Sequence, residues 1–149
     1  MFQADLLKDA RVLITGGGTG LGKSMGRRML ELGAELVICG RREAVLDETA
    51  AEFDADFPGR TAWHRCDIRD PDAIEAMLEA VWADRPLDTL INNAAGNFLA
   101  RTETLSPRAL DAVLGIVLHG SAYMTLACGK RWIAAGRAAT VLSIVATYA

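Results

Sequence analysis

The sequence predicts an α/β fold, a parallel sheet covered by helices on both faces. Three observations lead to this prediction. With 149 residues, 51% of them hydrophobic and 23% charged, the chain is large and apolar enough for one globular domain with a core. Short strands that are apolar on both faces alternate with helical patterns, as in buried parallel sheets. A glycine-rich turn joins the first strand to the first helix, which is typical of a Rossmann-type, doubly wound sheet.

The first half of the chain contains three strands and the two helices between them. Strands are predicted over residues 12–15, 35–39 and 61–66, where apolar and β-branched residues run together. Apolar residues at helical spacing predict the first helix, which Gly33 ends, and a second helix whose buried face includes Leu46, Ala50 and Phe53.

The second half repeats the alternation. Asp70 and Pro71 form an N-cap and first turn that open the third helix, and a fourth strand follows over residues 87–91. Ser106 and Pro107 open a long helix that we expect to run to about Gly136. A fifth strand is predicted over residues 141–145, close to the end of the chain.

Composition excludes several classes of partner. A net charge of −3 with scattered basic residues predicts no binding to nucleic acid or to an anionic membrane surface. No apolar run was expected to span a bilayer, and residues 1–11 lack the apolar core of a signal peptide. Cys39, Cys66 and Cys128 are far apart in the sequence, as expected of reduced core thiols in a cytoplasmic protein. The sequence contains no close cluster of cysteines and histidines, so no metal site is predicted.

The segment from Thr15 to Gly22 reads TGGGTGLG and lies between a predicted strand and a predicted helix. Glycines there allow a tight turn and let backbone N–H groups approach a pyrophosphate, while the helix N-terminus favours the anion. The alternative is a plain strand-to-helix turn. The flanking strand and helix favour a dinucleotide site.

Arg41 and Arg42 follow the second strand, where an NAD site places an acidic residue on the ribose 2′-hydroxyl. Two guanidinium groups can instead bind a 2′-phosphate through charge-assisted hydrogen bonds. The alternative is a solvated helix start, but positive charge is unfavourable at a helix N-terminus. The sequence therefore predicts NADP(H).

The motifs resemble those of the short-chain dehydrogenase/reductase family over the whole chain. Thr15, Gly16, Gly20 and Gly22 match its TGxxxGxG loop, and residues 92–96 look like its NNAG segment with one extra residue. Asp67, at the end of the third strand, matches the acidic residue that the family uses near the adenine. The resemblance and the loop chemistry together imply cofactor-binding roles for twelve residues: Gly16, Gly18, Thr19, Gly20, Leu21, Gly22, Arg41, Arg42, Asp67, Ile68, Asn93 and Ala95.

Residues 92–98 (NNAAGNF) and 102–107 (TETLSP) resemble a subgroup, the 2,4-dienoyl-CoA reductases. That resemblance implies NADPH-dependent reduction of a conjugated dienoyl-CoA in unsaturated fatty-acid oxidation, and a homotetramer. By position it implies that Asn97 and Tyr148 are catalytic. It further implies substrate contacts for three residues: Arg69, Phe98 and Ser106.

Two positions depart from the usual family pattern. Ala146 falls where most members have a catalytic serine, so a ketone or alcohol would lack its usual hydroxyl partner. His119 falls where the family usually has an asparagine that supports a proton relay, and a histidine satisfied by backbone or water is an equally good interpretation.

The resemblance also implies further helices, strands and a catalytic lysine after the fifth strand. We therefore expect residues 1–149 to be the N-terminal part of a single dinucleotide-binding domain, truncated after the fifth strand and inactive alone. Two other functions stay open. One is a carbonyl (3-oxoacyl) reductase of the same family, against which Ala146 counts, and the other is a non-catalytic dinucleotide-binding fragment.

Overall fold

A computed structural model describes residues 2–96 and 100–145 of the chain. Its centre is a five-stranded, fully parallel sheet with strand order β3-β2-β1-β4-β5, which confirms the predicted Rossmann-type α/β fold. The strands are β1 (Arg11–Thr15), β2 (Glu35–Gly40), β3 (Thr61–Arg65), β4 (Thr89–Asn92) and β5 (Thr140–Ser143). Each lies within two residues of its predicted bounds.

The helices connect consecutive strands on the two faces of the sheet. They are α1 (Gly20–Glu31), α2 (Glu43–Asp56), α3 (Pro71–Asp84), α4 (Pro107–Leu114) and α5 (Ser121–Ala134), with a short 3-10 turn at Thr102–Thr104 before α4. The predicted caps are present: the Asp70 side chain accepts hydrogen bonds from two backbone N–H groups of α3, and Ser106 accepts one from α4.

Strand residues alternate between two hydrophobic cores. Leu13 and Val37 face a core built with α3 and α5, whereas Ile14 and Ile38 face a core built with α1 and α2. This burial on both faces explains why the strands are continuously apolar in sequence. The chain moves outward from β1 in one direction through β2 and β3, and β4 lies on the other side of β1. The resulting switch point opens a crevice at the carboxyl ends of β1 and β4.

The long helix predicted from Pro107 is interrupted. A π-helical segment at Gly115–Gly120 joins α4 to α5, and the helix ends at Ala134, before the predicted end. At Gly120 an added Cβ would lie 2.6 Å from the Ile68 side chain, so glycine is required where this segment crosses the loop after β3. The helical spacing of the apolar residues from Leu110 to Met124 predicts one continuous helix and does not indicate a π-turn.

The same helical segment, Pro107–Ala134, corrects the expectation that no apolar run could span a bilayer. It has 28 residues, and an 18-residue window within it has a mean hydropathy of 1.5, so it is long and apolar enough for a membrane span. A single such helix is weak evidence, because helices of soluble proteins meet the same two criteria.

Candidate functional site

A cleft of about 310 Å³ lies at the carboxyl ends of the central strands. This is the place where doubly wound sheets bind ligands. Nine of the twelve predicted cofactor residues line it: Gly16, Gly18, Thr19, Arg41, Arg42, Asp67, Ile68, Asn93 and Ala95. The other three form the first turn of α1: Gly20, Leu21 and Gly22.

The glycine loop is shaped for close approach of backbone to backbone. Gly16 and Gly20 have φ values of +67° and +55°, which favour glycine. A Cβ on Gly22 would lie 2.4 Å from the Gly16 carbonyl oxygen, so Gly22 lets α1 pack against the loop. A Cβ on Gly20 would meet nothing within 4 Å, and Leu21 is exposed. The start of α1 is therefore open to solvent.

The N-terminus of α1 has the chemistry of an anion site. Thr19 is the N-cap but its side chain makes no capping hydrogen bond, and the first turn contains no acidic residue. The free N–H groups and the helix dipole both favour a negative charge there. A dinucleotide pyrophosphate therefore fits the open cleft, the glycine backbone and the uncapped helix.

Thr15 joins the glycine loop to the loop after β4. Its hydroxyl accepts hydrogen bonds from the backbone N–H groups of Asn93 (3.0 Å) and Ala94 (2.9 Å). In return the Asn93 side-chain amide donates to the carbonyls of Thr15 (3.0 Å) and Gly16 (3.3 Å). Four hydrogen bonds thus fix the two loops that border the crevice.

The two arginines after β2 lie at the cleft with their guanidinium groups available. Both residues are exposed, and neither forms an ion pair or side-chain hydrogen bond within the described ranges. Arg42 is the N-cap of α2, and Glu43 follows it in the first turn. The acidic first turn partly offsets the unfavourable charge at the helix start. A 2′-phosphate fits these two side chains.

Asp67 and Arg69 form a bidentate ion pair at the edge of the cleft. The guanidinium donates to the carboxylate at 2.9 Å (Nε to Oδ1) and 2.5 Å (Nη2 to Oδ2). This hydrogen bonding holds the pKa of Asp67 below its usual range, and the positive charge of Arg41 acts in the same direction. Asp67 therefore carries a negative charge at neutral pH.

The predicted catalytic and substrate residues are only partly visible. Asn97, Phe98 and Tyr148 lie outside the described residues. Ser106 is exposed and its hydroxyl caps α4 by accepting from the Ala109 N–H, so capping alone accounts for its identity. Its role as a substrate contact stays a prediction, and so does that of Arg69.

His119 lies in the π-helical segment and is exposed. Its ring stacks on Tyr123 with the ring centroids 6.1 Å apart. This contact gives the side chain a packing partner on the next helical turn, and the catalytic alternative stays a prediction.

Seven further residues line the cleft, and no site role is predicted for them from the sequence: Cys39, Gly40, Val45, Leu46, Cys66, Ala94 and Ile116. Cys39 and Cys66 are the last residues of the predicted second and third strands, and a ligand site at the carboxyl edge of the sheet implies that such residues line it. Burial raises the pKa of the Cys66 thiol to about 11, so this cysteine is a neutral part of the wall.

The matching family model is that of the short chain dehydrogenases, and it covers residues 10–149. Among curated proteins, a probable 2,4-dienoyl-CoA reductase of Bacillus subtilis (strain 168) is 41% identical over 139 residues, which are 93% of this chain and 54% of that protein. A probable 2,4-dienoyl-CoA reductase 3 of Caenorhabditis elegans is 40% identical over 96% of this chain and 47% of its own length. The chain thus spans about half the length of the curated relatives it matches.

Solved structures agree with the predicted fold. A short chain dehydrogenase from Bacillus anthracis superposes with a TM-score of 0.91 at 40% identity, over 95% of this chain and 59% of that one. Structures containing either nicotinamide cofactor also match: a Brucella melitensis 3-ketoacyl-(acyl-carrier-protein) reductase with NADH (TM-score 0.83, 27% identity, 94% and 58% covered) and a metagenomic oxidoreductase with NADP (0.84, 29%, 95% and 63%). Together with the glycine loop and the parallel sheet, these matches show that the chain belongs to the short-chain dehydrogenase/reductase family.

Proposed function

We propose that the protein containing this chain reduces 2,4-dienoyl-CoA thioesters with NADPH. The family membership supports a nicotinamide-dependent oxidoreductase, and the relatives named as probable 2,4-dienoyl-CoA reductases support the substrate class. The observation that carries the choice of cofactor is the pair Arg41 and Arg42, which lies at the cleft where an NAD site would place an acid.

The described residues account for cofactor binding. The glycine loop and the uncapped start of α1 hold the pyrophosphate through backbone N–H groups. Arg41 and Arg42 would bind the 2′-phosphate, and Asp67, which lines the same cleft as Ile68, would lie near the adenine, as the family resemblance implies. When bound, the nicotinamide supplies the hydride, and the protein provides position and electrostatics.

The proposed chemistry needs hydrogen-bond donors at the thioester. Hydride addition at the far end of the conjugated system moves negative charge onto the thioester oxygen, and neutral donors aimed at that oxygen lower the barrier. We assign this role to the amide of Asn97 and the hydroxyl of Tyr148, and substrate contacts to Arg69, Phe98 and Ser106.

Ala146 distinguishes this function from reduction of a 3-oxoacyl substrate. A ketone reductase of the family uses a serine hydroxyl at this position, and alanine has none to offer. The thioester oxygen of a dienoyl-CoA is served by the other two donors, so the same substitution is compatible with dienoyl reduction.

The compartment and the assembly are parts of the same proposal. Cys39, Cys66 and Cys128 are free and buried, which suits a reducing cytoplasm. Resemblance to the family supports a homotetramer, and it supports residues 1–149 as the N-terminal part of one dinucleotide-binding domain.

The decisive experiment uses the complete gene product that contains this sequence. We expect NADPH oxidation with a 2,4-dienoyl-CoA, slower oxidation of NADH, and little activity with a 3-oxoacyl-CoA. Tyr148→Phe keeps the ring, removes only the hydroxyl and should lower kcat by about 100-fold, the scale for loss of one oxyanion donor. Ala146→Ser is the control and should leave dienoyl reduction nearly unchanged. Preferred turnover of the 3-oxoacyl substrate would overturn the proposal.

A further inference from the structure

Thr49 on α2 contacts the glycine loop from outside the cleft. Its side chain is buried, and its hydroxyl donates a hydrogen bond of 2.8 Å to the carbonyl oxygen of Gly18. The two residues are 31 positions apart in sequence, so this bond joins two separate elements. Neither the motifs nor the lining of the cleft include Thr49.

The apolar neighbours of Thr49 support the same loop. A Cβ on Gly18 would lie 3.2 Å from Val45 and 3.3 Å from Leu46, both on α2. The glycine backbone therefore rests directly on the first two turns of that helix. Within this contact the Thr49 hydroxyl forms the hydrogen bond to the loop. It therefore fixes the direction of the Gly18–Thr19 peptide unit, whereas the side chains of Val45 and Leu46 fix only its distance from α2.

The direction of the Gly18 carbonyl determines that of the next N–H group. The Gly18 carbonyl and the Thr19 N–H belong to one planar peptide unit, and the described part of the chain contains no cis peptide bond. In a trans peptide the two groups point in opposite directions. A carbonyl held against α2 therefore turns the Thr19 N–H away from α2. Thr19 lines the cleft, and its N–H has no acceptor among residues 2–96 and 100–145.

We propose that Thr49 is a positioning residue for the cofactor, because it orients the Gly18–Thr19 peptide so that the Thr19 N–H is presented to a pyrophosphate oxygen. This inference rests on the proposed function, since it takes the ligand of the cleft to be a dinucleotide. It adds a residue that touches neither cofactor nor substrate and acts through the loop.

The test separates pyrophosphate binding from binding of the 2′-phosphate. Two ligands are titrated into the complete gene product: NADPH, and adenosine 2′-monophosphate, which keeps the phosphate for Arg41 and Arg42 but has no phosphate at the 5′ position. Thr49→Val removes the hydroxyl at nearly constant shape. We expect it to raise the Kd for NADPH about tenfold, the scale of one neutral hydrogen bond. The Kd for the monophosphate should stay within about twofold, since this ligand has no 5′-phosphate to accept from the Thr19 N–H.

Two variants control for general destabilisation. Thr49→Ser keeps the hydroxyl and should restore NADPH affinity to within about twofold of the parent. Ile74→Val removes a buried methylene from α3, away from the cleft, and should lower stability without changing either Kd. Thr49→Ala also lacks the hydroxyl and serves in place of the valine variant if that protein folds poorly.

Equal losses for both ligands in Thr49→Val would overturn the inference, because Thr49 would then support α2 as a whole. Unchanged NADPH affinity would overturn it as well, while leaving the proposed function intact. If the parent prefers NADH, the NADPH assignment fails, and the variants are judged on NADH in the same way. A parent that binds neither dinucleotide removes the proposed function and this inference together.

Discussion

Replacement of Thr15 by valine tests how the two loops of the cleft are held together. The hydroxyl of Thr15 is fully buried and accepts hydrogen bonds from the backbone N–H groups of Asn93 and Ala94. Valine has nearly the same shape and no acceptor, so both N–H groups lose their partner. The bonds from the Asn93 side chain to the Thr15 and Gly16 carbonyls do not involve the hydroxyl and should persist.

The magnitude follows from the number of donors and their burial. A neutral hydrogen bond contributes about 1 kcal/mol net, and a buried donor left without a partner costs about 1–3 kcal/mol. Asn93 and Ala94 are only partly buried, so water can reach their N–H groups in part and the lower half of that range applies. For the two bonds together we expect the free energy of unfolding to fall by about 2–4 kcal/mol.

Urea denaturation of the parent and variant at one fixed protein concentration measures this loss. Thr15→Ser keeps the acceptor and loses one methyl group, so it should cost about 1 kcal/mol. A Thr15→Val variant within about 0.5 kcal/mol of the parent would refute the structural role of the hydroxyl. A serine variant as unstable as the valine variant would assign the effect to the methyl group.

Three further outcomes are expected. The double variant Arg41→Ala, Arg42→Ala should weaken NADPH binding by about 10- to 150-fold and leave NADH binding nearly unchanged, because charge-assisted hydrogen bonds to the 2′-phosphate contribute about 1.5–3 kcal/mol. Calorimetric titration measures both constants, and equal losses would contradict the 2′-phosphate assignment. Arg69→Gln should raise the pKa of Asp67 toward its usual value, since the guanidinium is the main cause of the lowered pKa. The stabilisation from this pair is present above the usual carboxyl pKa and is lost as the pH falls through the lowered pKa, so the variant should lose that acid-range dependence. Carboxyl carbon NMR follows the titration, and an unchanged midpoint would exclude Arg69 as the cause. Arg11→Met should lower the free energy of unfolding by about 2–3 kcal/mol, because Arg11 is buried and its guanidinium donates to the carbonyls of Val81 in α3 and of Arg85 directly after it. A loss below about 0.5 kcal/mol in urea denaturation would show that these bonds add no net stability.

The sheet was predictable because burial on both faces leaves a strong sequence signal. Each strand is a short apolar run, and the predicted and observed bounds differ by at most two residues. The π-helical segment at Gly115–Gly120 was not predictable in this way. Its residues keep helical spacing, and the close approach of Gly120 to Ile68 depends on a loop more than fifty residues earlier in the chain.

The candidate site also contains some residues that the sequence indicates and others that it does not. Gly16 and the arginine pair stand out in the sequence, because a glycine-rich turn and two positive charges at a helix start are both unusual. Val45 and Leu46 line the same cleft, yet they read as ordinary positions of an amphipathic helix. Their role depends on how α2 crosses the glycine loop, which only the folded chain determines.

A loop made of glycines has no side chains with which to fix itself, so its neighbours must determine its conformation. Two buried threonines contribute to this, Thr49 directly and Thr15 through Asn93. On one side Thr15 binds the loop after β4, and the Asn93 side chain closes on the Gly16 carbonyl. On the other side Thr49 holds the Gly18 carbonyl against α2. Since each bond fixes a different peptide unit, loss of one should leave the other in place. Thr15→Val and Thr49→Val should then reduce NADPH affinity by independent factors that multiply in the double variant.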